Sequence, residues 1–191
     1  MHAAGLATMA YYYFDFRDPK KQDCDGLLSS LILQLSAESD SCCNILSQLY
    51  PDNNPGSRRP SISAFKKCLK DMLSLPRQGP IYIIADALDE CPKSPGRPSA
   101  REKVLDLIEE LVDLQLPNLH LCVASRPEID IRMVLEPLTF LTVSLHDEIG
   151  QKEDIIEYIK SVVHLDRGMR GWREEDQNLV IDTLSKKAQG M

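Results

Sequence analysis

The chain has 191 residues, 43% hydrophobic and 27% charged, which is typical of a folded domain and excludes a largely disordered chain. A net charge of −7 without a clustered Lys/Arg patch argues against nucleic-acid binding. No segment approaches the roughly 18 consecutive apolar residues that span a bilayer, so we expect no membrane association. The six cysteines include no CxxC pair, which argues against a zinc site and favours a reducing, cytoplasmic location.

The N-terminal part predicts one strand followed by helices. Aromatic residues dominate Tyr11–Phe16, and this composition predicts a strand. Apolar residues at helical spacing predict helices over Gly26–Glu38 and Ser41–Leu49. A third helix is expected to begin at Ser61. Its inward residues are Phe65, Cys68, Leu69, Met72 and Leu73.

Two apolar runs in the middle of the chain, Ile81–Ala87 and Leu119–Ser125, are flanked by turn-forming residues. Such runs are typical of strands buried on both faces of a parallel sheet. Cys122 lies in the second run and is predicted, like Cys68, to be a small core residue. Between the runs, Ser99 and Glu102 have the spacing of a capping box at the start of a helix.

The C-terminal part predicts a short helix over Ile129–Leu135, a further strand over Phe140–Leu145, and helices over Lys152–Val163 and Glu174–Ala188. Strands that alternate with helices predict an α/β fold with a mainly parallel sheet. The alternation ends in a helical segment. We therefore expect an α/β core over residues 1–147 and the start of a helical region over residues 148–191.

A group of acids follows the first apolar run, in the sequence IYIIADALDE. Open α/β sheets bind ligands at the carboxyl ends of their strands. Asp86 is the first of these acids, at the end of the predicted strand, and is placed to hold Mg²⁺, either directly or through water. Asp89 or Glu90 could orient or deprotonate an attacking water molecule. The simpler interpretation, a solvated acidic loop, is also compatible with the sequence.

The second apolar run ends in Ser125 and Arg126, within the sequence VASRPE. These residues are expected at the same sheet edge as Asp86, where an arginine can bind a terminal phosphate. A capped turn is the alternative interpretation of a Ser-Arg-Pro sequence. The two segments support each other because both follow predicted strands.

Together, DALDEC and SRPE resemble the Walker B strand and the sensor strand of the NACHT family of signal-transducing P-loop NTPases, the STAND class. The strand YYYFDF and the leucine-rich helix behind it resemble the strand-helix unit of the same family. The similarity is greatest to its fungal branch, close to the nephrocystin-3-like N-terminal domain. DIIEYIK at Asp154–Lys160, Trp172 and the final AQGM resemble the region behind the sensor, so the resemblance covers roughly Tyr11–Met191.

The resemblance implies a three-layer parallel sheet of the P-loop NTPase type. It also implies that Mg²⁺ and ATP or GTP bind to the complete module. By position, Asp86 resembles the magnesium acid of Walker B. Asp89 and Glu90 resemble the acidic pair that includes the water-activating group. Arg126 resembles the sensor arginine, with Ser125 beside it.

The chain departs from the family at the phosphate-binding loop. None of its nine glycines is followed by Lys-Ser or Lys-Thr, so the Walker A sequence GxxxxGK[ST] and the strand before it are not found. We therefore expect no tight nucleotide binding and no hydrolysis by this chain alone. The resemblance implies that the remaining strands lie in the order Tyr11–Phe16, Ile81–Asp86, Leu119–Ser125. The last of them should then expose an edge unless Phe140–Leu145 covers it.

These observations favour a fragment of a NACHT-type nucleotide-dependent switch, a kind of protein that resembles fungal innate-immunity and incompatibility regulators. Its expected partners are proteins or the rest of a multidomain chain, with self-association through an exposed sheet edge. Two other functions are compatible with the sequence. One is a non-catalytic interaction module derived from the NTPase fold. The other is a metal-dependent phosphohydrolase that uses Asp86, Asp89 and Glu90.

Overall fold

The computed structural model describes residues 7–49, 60–93, 98–144 and 149–187. The chain divides into two compact units, Met1–Thr139 and Phe140–Met191. The first is an α/β unit with three parallel strands, β1 (Thr8–Tyr13), β2 (Ile81–Asp86) and β3 (Leu119–Val123). Their order in the sheet is β1-β2-β3, which confirms the predicted order with β2 in the centre.

The strand β1 begins and ends three residues earlier than the predicted Tyr11–Phe16. It pairs with β2 in register from Thr8 opposite Ile81 to Tyr13 opposite Asp86. Beyond this point Phe14 is still buried and donates its backbone N–H to the carbonyl of Asp86, but Phe16 lies exposed in a turn. Aromatic composition therefore located the strand, while the length of β2 sets its bounds.

Five α-helices lie in the described part of the first unit. They are α1 (Cys24–Glu38), α2 (Asp40–Gln48), α3 (Ile62–Leu73), α4 (Ala100–Val112) and α5 (Ile129–Leu135). The side chain of Ser61 accepts a hydrogen bond from the N–H of Ala64 and so caps α3. Ser99 and Glu102 form the predicted capping box at the start of α4. Such caps satisfy N–H groups that have no partner within the helix, which fixes where each helix begins.

The core of this unit lies between one face of the sheet and the helices α1, α3 and α4. Ala10 and Tyr12 of β1 and Ile81, Ile83 and Ala85 of β2 are buried on this face. The predicted inward residues of α3 are all buried as well. They are Phe65, Cys68, Leu69, Met72 and Leu73. Burying a leucine side chain of this kind stabilises the fold by about 1.5–3 kcal/mol.

The opposite face of the sheet carries exposed side chains, so β2 and β3 are not buried on both faces as predicted. Tyr82 is stacked on His120, with ring centroids 4.8 Å apart, and both side chains are exposed. Cys122 is also exposed, which corrects its prediction as a core residue. Alternate residues of a strand point to opposite faces, and Cys122 falls on the exposed one. In the described part of the unit, this face carries no second helical layer of the expected three-layer arrangement.

The free edge of β1 is covered by a side chain from α1. The carboxamide of Gln34 accepts a hydrogen bond from the backbone N–H of Tyr11, at 3.0 Å, and donates one to its carbonyl, at 2.8 Å. Gln34 thus makes the two bonds that a neighbouring strand would make. The other edge of the described sheet is β3.

The second unit contains two helices, α6 (Ile149–Leu165) and α7 (Glu174–Lys187), which pack on each other. Val163 and Ile181 are buried in it. The predicted strand over Phe140–Leu145 is wrong for its described part, because residues 140–144 form no strand and pair with none. Leu145 and the predicted boundary between residues 147 and 148 lie outside the described residues, so that boundary stays a prediction.

Candidate functional site at the carboxyl edge of the sheet

The loop after β2 is shaped by two buried anchors. Leu88 and Cys91 are fully buried, and Cys91 donates its Sγ–H to the carbonyl of Gln22, at 3.1 Å. Between the strand and these anchors, Ala87 has a left-handed backbone (φ 54°), and Leu88–Glu90 form a 3₁₀ turn. This tight path leaves the three acids, Asp86, Asp89 and Glu90, at the carboxyl edge of the sheet, each partly exposed.

The loop after β3 runs alongside this acidic loop. The N–H of Ala124 donates to the carbonyl of Ala85 at 2.9 Å, and the N–H of Leu88 donates to the carbonyl of Ala124 at 3.1 Å. These two bonds continue the pairing of β2 and β3 beyond the strands. They bring Ser125 and Arg126 to the edge that carries the acids.

Asp89 and Arg126 are in direct contact. The backbone N–H of Arg126 donates to Oδ1 of Asp89 at 3.0 Å, and Nε of Arg126 lies 3.3 Å from Oδ2. The side chain of Asp89 is 11% exposed and that of Arg126 is 83% exposed. Asp89 is therefore fixed in the loop, whereas most of the guanidinium faces solvent and remains accessible to an anion.

The other predicted site residues are arranged differently. Glu90 turns toward the opposite flank, where its Oε2 accepts the backbone N–H of Phe16 at 3.1 Å. Oδ1 of Asp86 accepts the N–H of Ala87 at 2.9 Å. Ser125 donates its hydroxyl to the carbonyl of Arg126. The geometry thus joins Asp89 with Arg126, while Glu90 stabilises the loop after β1 and Ser125 bonds locally.

The acid residues next to β1 are engaged in local contacts. Asp15 is paired with Arg17, whose hydrogen bonds hold the pKa of Asp15 below its ordinary value. Asp18 caps the short turn that follows, accepting the N–H of Lys20 at 3.0 Å. Neither arrangement adds these carboxylates to the acids after β2.

The fit of the residues to Mg²⁺ depends on whether nucleotide is present. Among the described residues, no group of three or more His, Cys, Asp or Glu side chains is placed to hold a metal ion. A Mg²⁺ ion bound with nucleotide takes most ligands from phosphate and water, and needs only one or two protein carboxylates. Asp86 fits that smaller requirement. The arrangement does not provide the self-contained acid cluster that a metal-dependent phosphohydrolase would need.

An ionic cluster around the buried Arg101, next to the site, was not anticipated from the sequence. Arg101 of α4 contacts Glu128 and Asp130 at the start of α5, and Lys93 contacts the same two carboxylates from the exposed side. Hydrogen bonds from Lys93 and Arg101 lower the pKa of Glu128. Burial opposes ionisation of Asp130, but hydrogen bonds from the same two cations outweigh it and lower its pKa. A signal was available: Arg101 has helical spacing with Val104, Leu105 and Ile108 on the buried face of α4.

The fold and the site define an α/β protein with a parallel sheet and an acid–arginine pair at its carboxyl edge. The chain belongs to the family described as Nephrocystin 3, N-terminal, whose model matches residues 2–126. No curated protein matches the chain. Among the described helices, none combines the length and the apolar character needed to cross a membrane.

Proposed function

We propose that this chain is part of a NACHT-type nucleotide-dependent switch, and that the carboxyl edge of its sheet faces the phosphates of ATP or GTP. One observation carries the proposal: Asp86 ends β2, Asp89 and Arg126 lie in the loops after the adjacent parallel strands β2 and β3, and Asp89 and Arg126 are in contact. Ligands of open α/β sheets bind at this edge. Membership of the Nephrocystin 3, N-terminal family supports the same assignment.

Each residue has a proposed role at the nucleotide. Asp86 would hold Mg²⁺, which would neutralise phosphate charge when bound with nucleotide. Asp89 or Glu90 orients the attacking water; each already accepts one backbone N–H, Asp89 from Arg126 and Glu90 from Phe16. Arg126 binds the terminal phosphate. A phosphate at this position would compete with Asp89 for the exposed guanidinium, so nucleotide binding would loosen the ion pair between them.

The chain alone is not expected to hydrolyse nucleotide. It contains no Gly-Lys-Ser or Gly-Lys-Thr sequence, and such a loop supplies the N–H groups and the lysine that hold the β- and γ-phosphates. Without that cradle, the acids at the sheet edge face an anionic ligand with Arg126 as the main cation. Hydrolysis, if the complete module performs it, therefore requires a phosphate-binding loop supplied in addition to these residues.

The test begins with the transcript, translated in frame upstream of Met1. If it encodes a strand followed by GxxxxGK[ST], the extended protein should bind Mg·ATP or Mg·GTP, measured with a fluorescent nucleotide. Asp86→Asn and Arg126→Ala should each weaken binding or phosphate release at least about tenfold. Asp106→Asn, which changes an exposed acid of α4, is the matched control and should have no effect. Full activity of Asp86→Asn would contradict the proposal.

The second candidate is a non-catalytic interaction module that keeps the fold. The sequence feature that favours it is the absence of Gly-Lys-Ser/Thr from these 191 residues. If translation starts at Met1 and nucleotides do not bind, this candidate replaces the switch. The proposed partners are then proteins or other domains of a longer chain, with self-association through the edge of the sheet as a further prediction.

A further inference from the structure

Arg101 occupies a position that the helix itself disfavours. It lies in the first turn of α4, where the positive end of the helix dipole repels a cation. Its side chain is only 5% exposed, so its charge has lost most of its hydration. Both effects cost free energy. The contacts that Arg101 makes outside its helix must therefore account for its presence.

Those contacts join the two loops of the candidate site. Nε of Arg101 donates to the carbonyl of Cys91 at 2.8 Å, and Nη2 donates to the carbonyl of Asp89. On the other side, Nη1 donates to the carboxylates of Glu128, at 2.5 Å, and Asp130, at 3.3 Å. One guanidinium thus binds the backbone carbonyl of Asp89 and, on the other side, the carboxylates of the segment that begins just after Arg126.

Only a guanidinium has the geometry for this set of partners. Its nitrogen atoms are fixed in one plane and donate in several directions, whereas a lysine ammonium is a single point of charge. Lys93 illustrates the difference. It lies 2.8 Å from Glu128 and 2.9 Å from Asp130, but it is exposed, and its partners among the described residues are these two carboxylates.

We propose that Arg101 is a positioning residue that fastens the loop after β2 to the loop after β3 and so maintains the contact between Asp89 and Arg126. The importance of this contact for nucleotides rests on the proposed function. Arg101 itself touches neither the proposed phosphate position nor Asp86. It acts through the backbone of Asp89 and Cys91 and through the carboxylate of Glu128.

The backbone N–H of Arg126 reports the contact, because it donates to Oδ1 of Asp89. Its ¹H–¹⁵N resonance is measured in the whole chain, without nucleotide, in the wild type and in Asp89→Asn. The substitution should move the resonance upfield, because a neutral amide accepts a weaker hydrogen bond than a carboxylate. In an Arg101→Met background the resonance should already lie upfield, and Asp89→Asn should change it little.

Two controls separate positioning from general stability. Lys93→Met removes a cation from the same carboxylates but should leave the Arg126 resonance and its response to Asp89→Asn unchanged. Val104→Ala destabilises the buried face of the same helix and should also leave both unchanged. If Arg101→Met does not fold, Glu128→Gln, at a partly exposed side chain, replaces it and should produce a smaller upfield shift.

A folded Arg101→Met protein that keeps the wild-type resonance and the full response to Asp89→Asn would overturn the proposal. The outcome is independent of nucleotide binding. If the resonance moves as expected but the extended protein binds no nucleotide, the positioning role stands and the proposed function fails. If nucleotide binds but the resonance does not move, the proposed function stands and Arg101 only stabilises the fold.

Discussion

Asp89 and Arg126 form an unequal pair: the carboxylate is nearly buried and accepts the backbone N–H of Arg126, while the guanidinium that accompanies it is mostly in solvent. The backbone bond and the ion pair therefore have different energetic weights. A hydrogen bond to a partly buried charge contributes more than an exposed ion pair, which water and salt screen. The pair fixes the loop mainly through Asp89, and Arg126 is left available for a ligand.

The first prediction follows from that inequality. Asp89→Ala should lower the free energy of unfolding by about 1–2 kcal/mol, because it leaves the N–H of Arg126 without its acceptor. Arg126→Ala should cost less than half as much, since the backbone N–H stays in place. Urea unfolding followed by circular dichroism measures both. Equal losses from the two substitutions would show that the ion pair, and not the backbone bond, holds the loop.

Ala87 provides a second prediction. Its φ of 54° is unfavourable for a residue with a Cβ and acceptable for glycine. Ala87→Gly should raise the free energy of unfolding by about 0.5–1 kcal/mol, after the greater flexibility of glycine in the unfolded chain is deducted. The control is Ala64→Gly within α3, which should instead lose about 1 kcal/mol. Destabilisation by Ala87→Gly would contradict the strained geometry.

A third prediction concerns the ion pairs between α3 and α4. Glu110 lies 2.7 Å from Lys66 and 2.6 Å from Lys70. Burial raises the pKa of Glu110, but the hydrogen bonds from both lysines outweigh it and the net pKa falls below the ordinary value of 4.5. A carboxyl group with a lowered pKa stabilises the fold above its ordinary pKa and loses this contribution as the pH falls through the lowered value.

Glu110→Gln should therefore cost about 1 kcal/mol at about pH 7, a value reduced by the partial exposure of the pair. Its difference from the wild type should shrink as the pH falls from about 4.5 and be small at about pH 3. Unfolding in urea at both pH values measures the difference. Glu109→Gln, at the exposed neighbouring position, should show no such dependence. A constant difference across this range would exclude the ionised Glu110 as its source.

The six cysteines should fall into two classes of reactivity. Cys43 and Cys122 are exposed, whereas the other four are buried. Burial raises the pKa of Cys91 to about 12 and those of Cys24 and Cys68 to about 11. Because the thiolate is the reactive form, iodoacetamide at about pH 8 should label two sites in the folded chain and six after denaturation. Fast labelling of Cys91 would contradict the closed loop after β2.

Hydrophobic pattern predicted the strands β1 to β3 and the helices, and the family resemblance predicted the order of the strands, but neither predicted the environment of every strand. The runs around β2 and β3 were apolar enough for strands buried on both faces, yet Tyr82, His120 and Cys122 are exposed. An apolar run predicts a strand, but it does not predict whether helices cover one face of that strand or both. The described part of the other predicted strand, residues 140–144, forms no strand for a related reason, because strand propensity is realised only where a neighbouring strand supplies hydrogen bonds.

The candidate site was predictable in part. Asp89 and Arg126 were both expected at the edge formed by the carboxyl ends of the parallel strands, and the structure brings them into contact there. Glu90 points away from Asp89, toward the backbone of Phe16, because Leu88–Glu90 form a 3₁₀ turn. The sequence pattern did not predict this turn. Arg101 was overlooked because a charged residue in the first turn of a helix is normally assigned to the surface. Its spacing with the apolar stripe was the only sign of burial.

The hydrogen bonds of Gln34 occupy backbone groups at the β1 edge of the sheet but not at the β3 edge. This difference limits how copies of the chain could associate through their strands. A strand added at β1 must first displace the carboxamide from both backbone groups of Tyr11, whereas β3 carries no such plug among its described contacts. A sheet that can grow at both edges forms open fibres, but one that can grow at a single edge forms a closed pair. Gln34 would thus prevent a further strand from pairing with β1, and association of copies through their strands would stop at two.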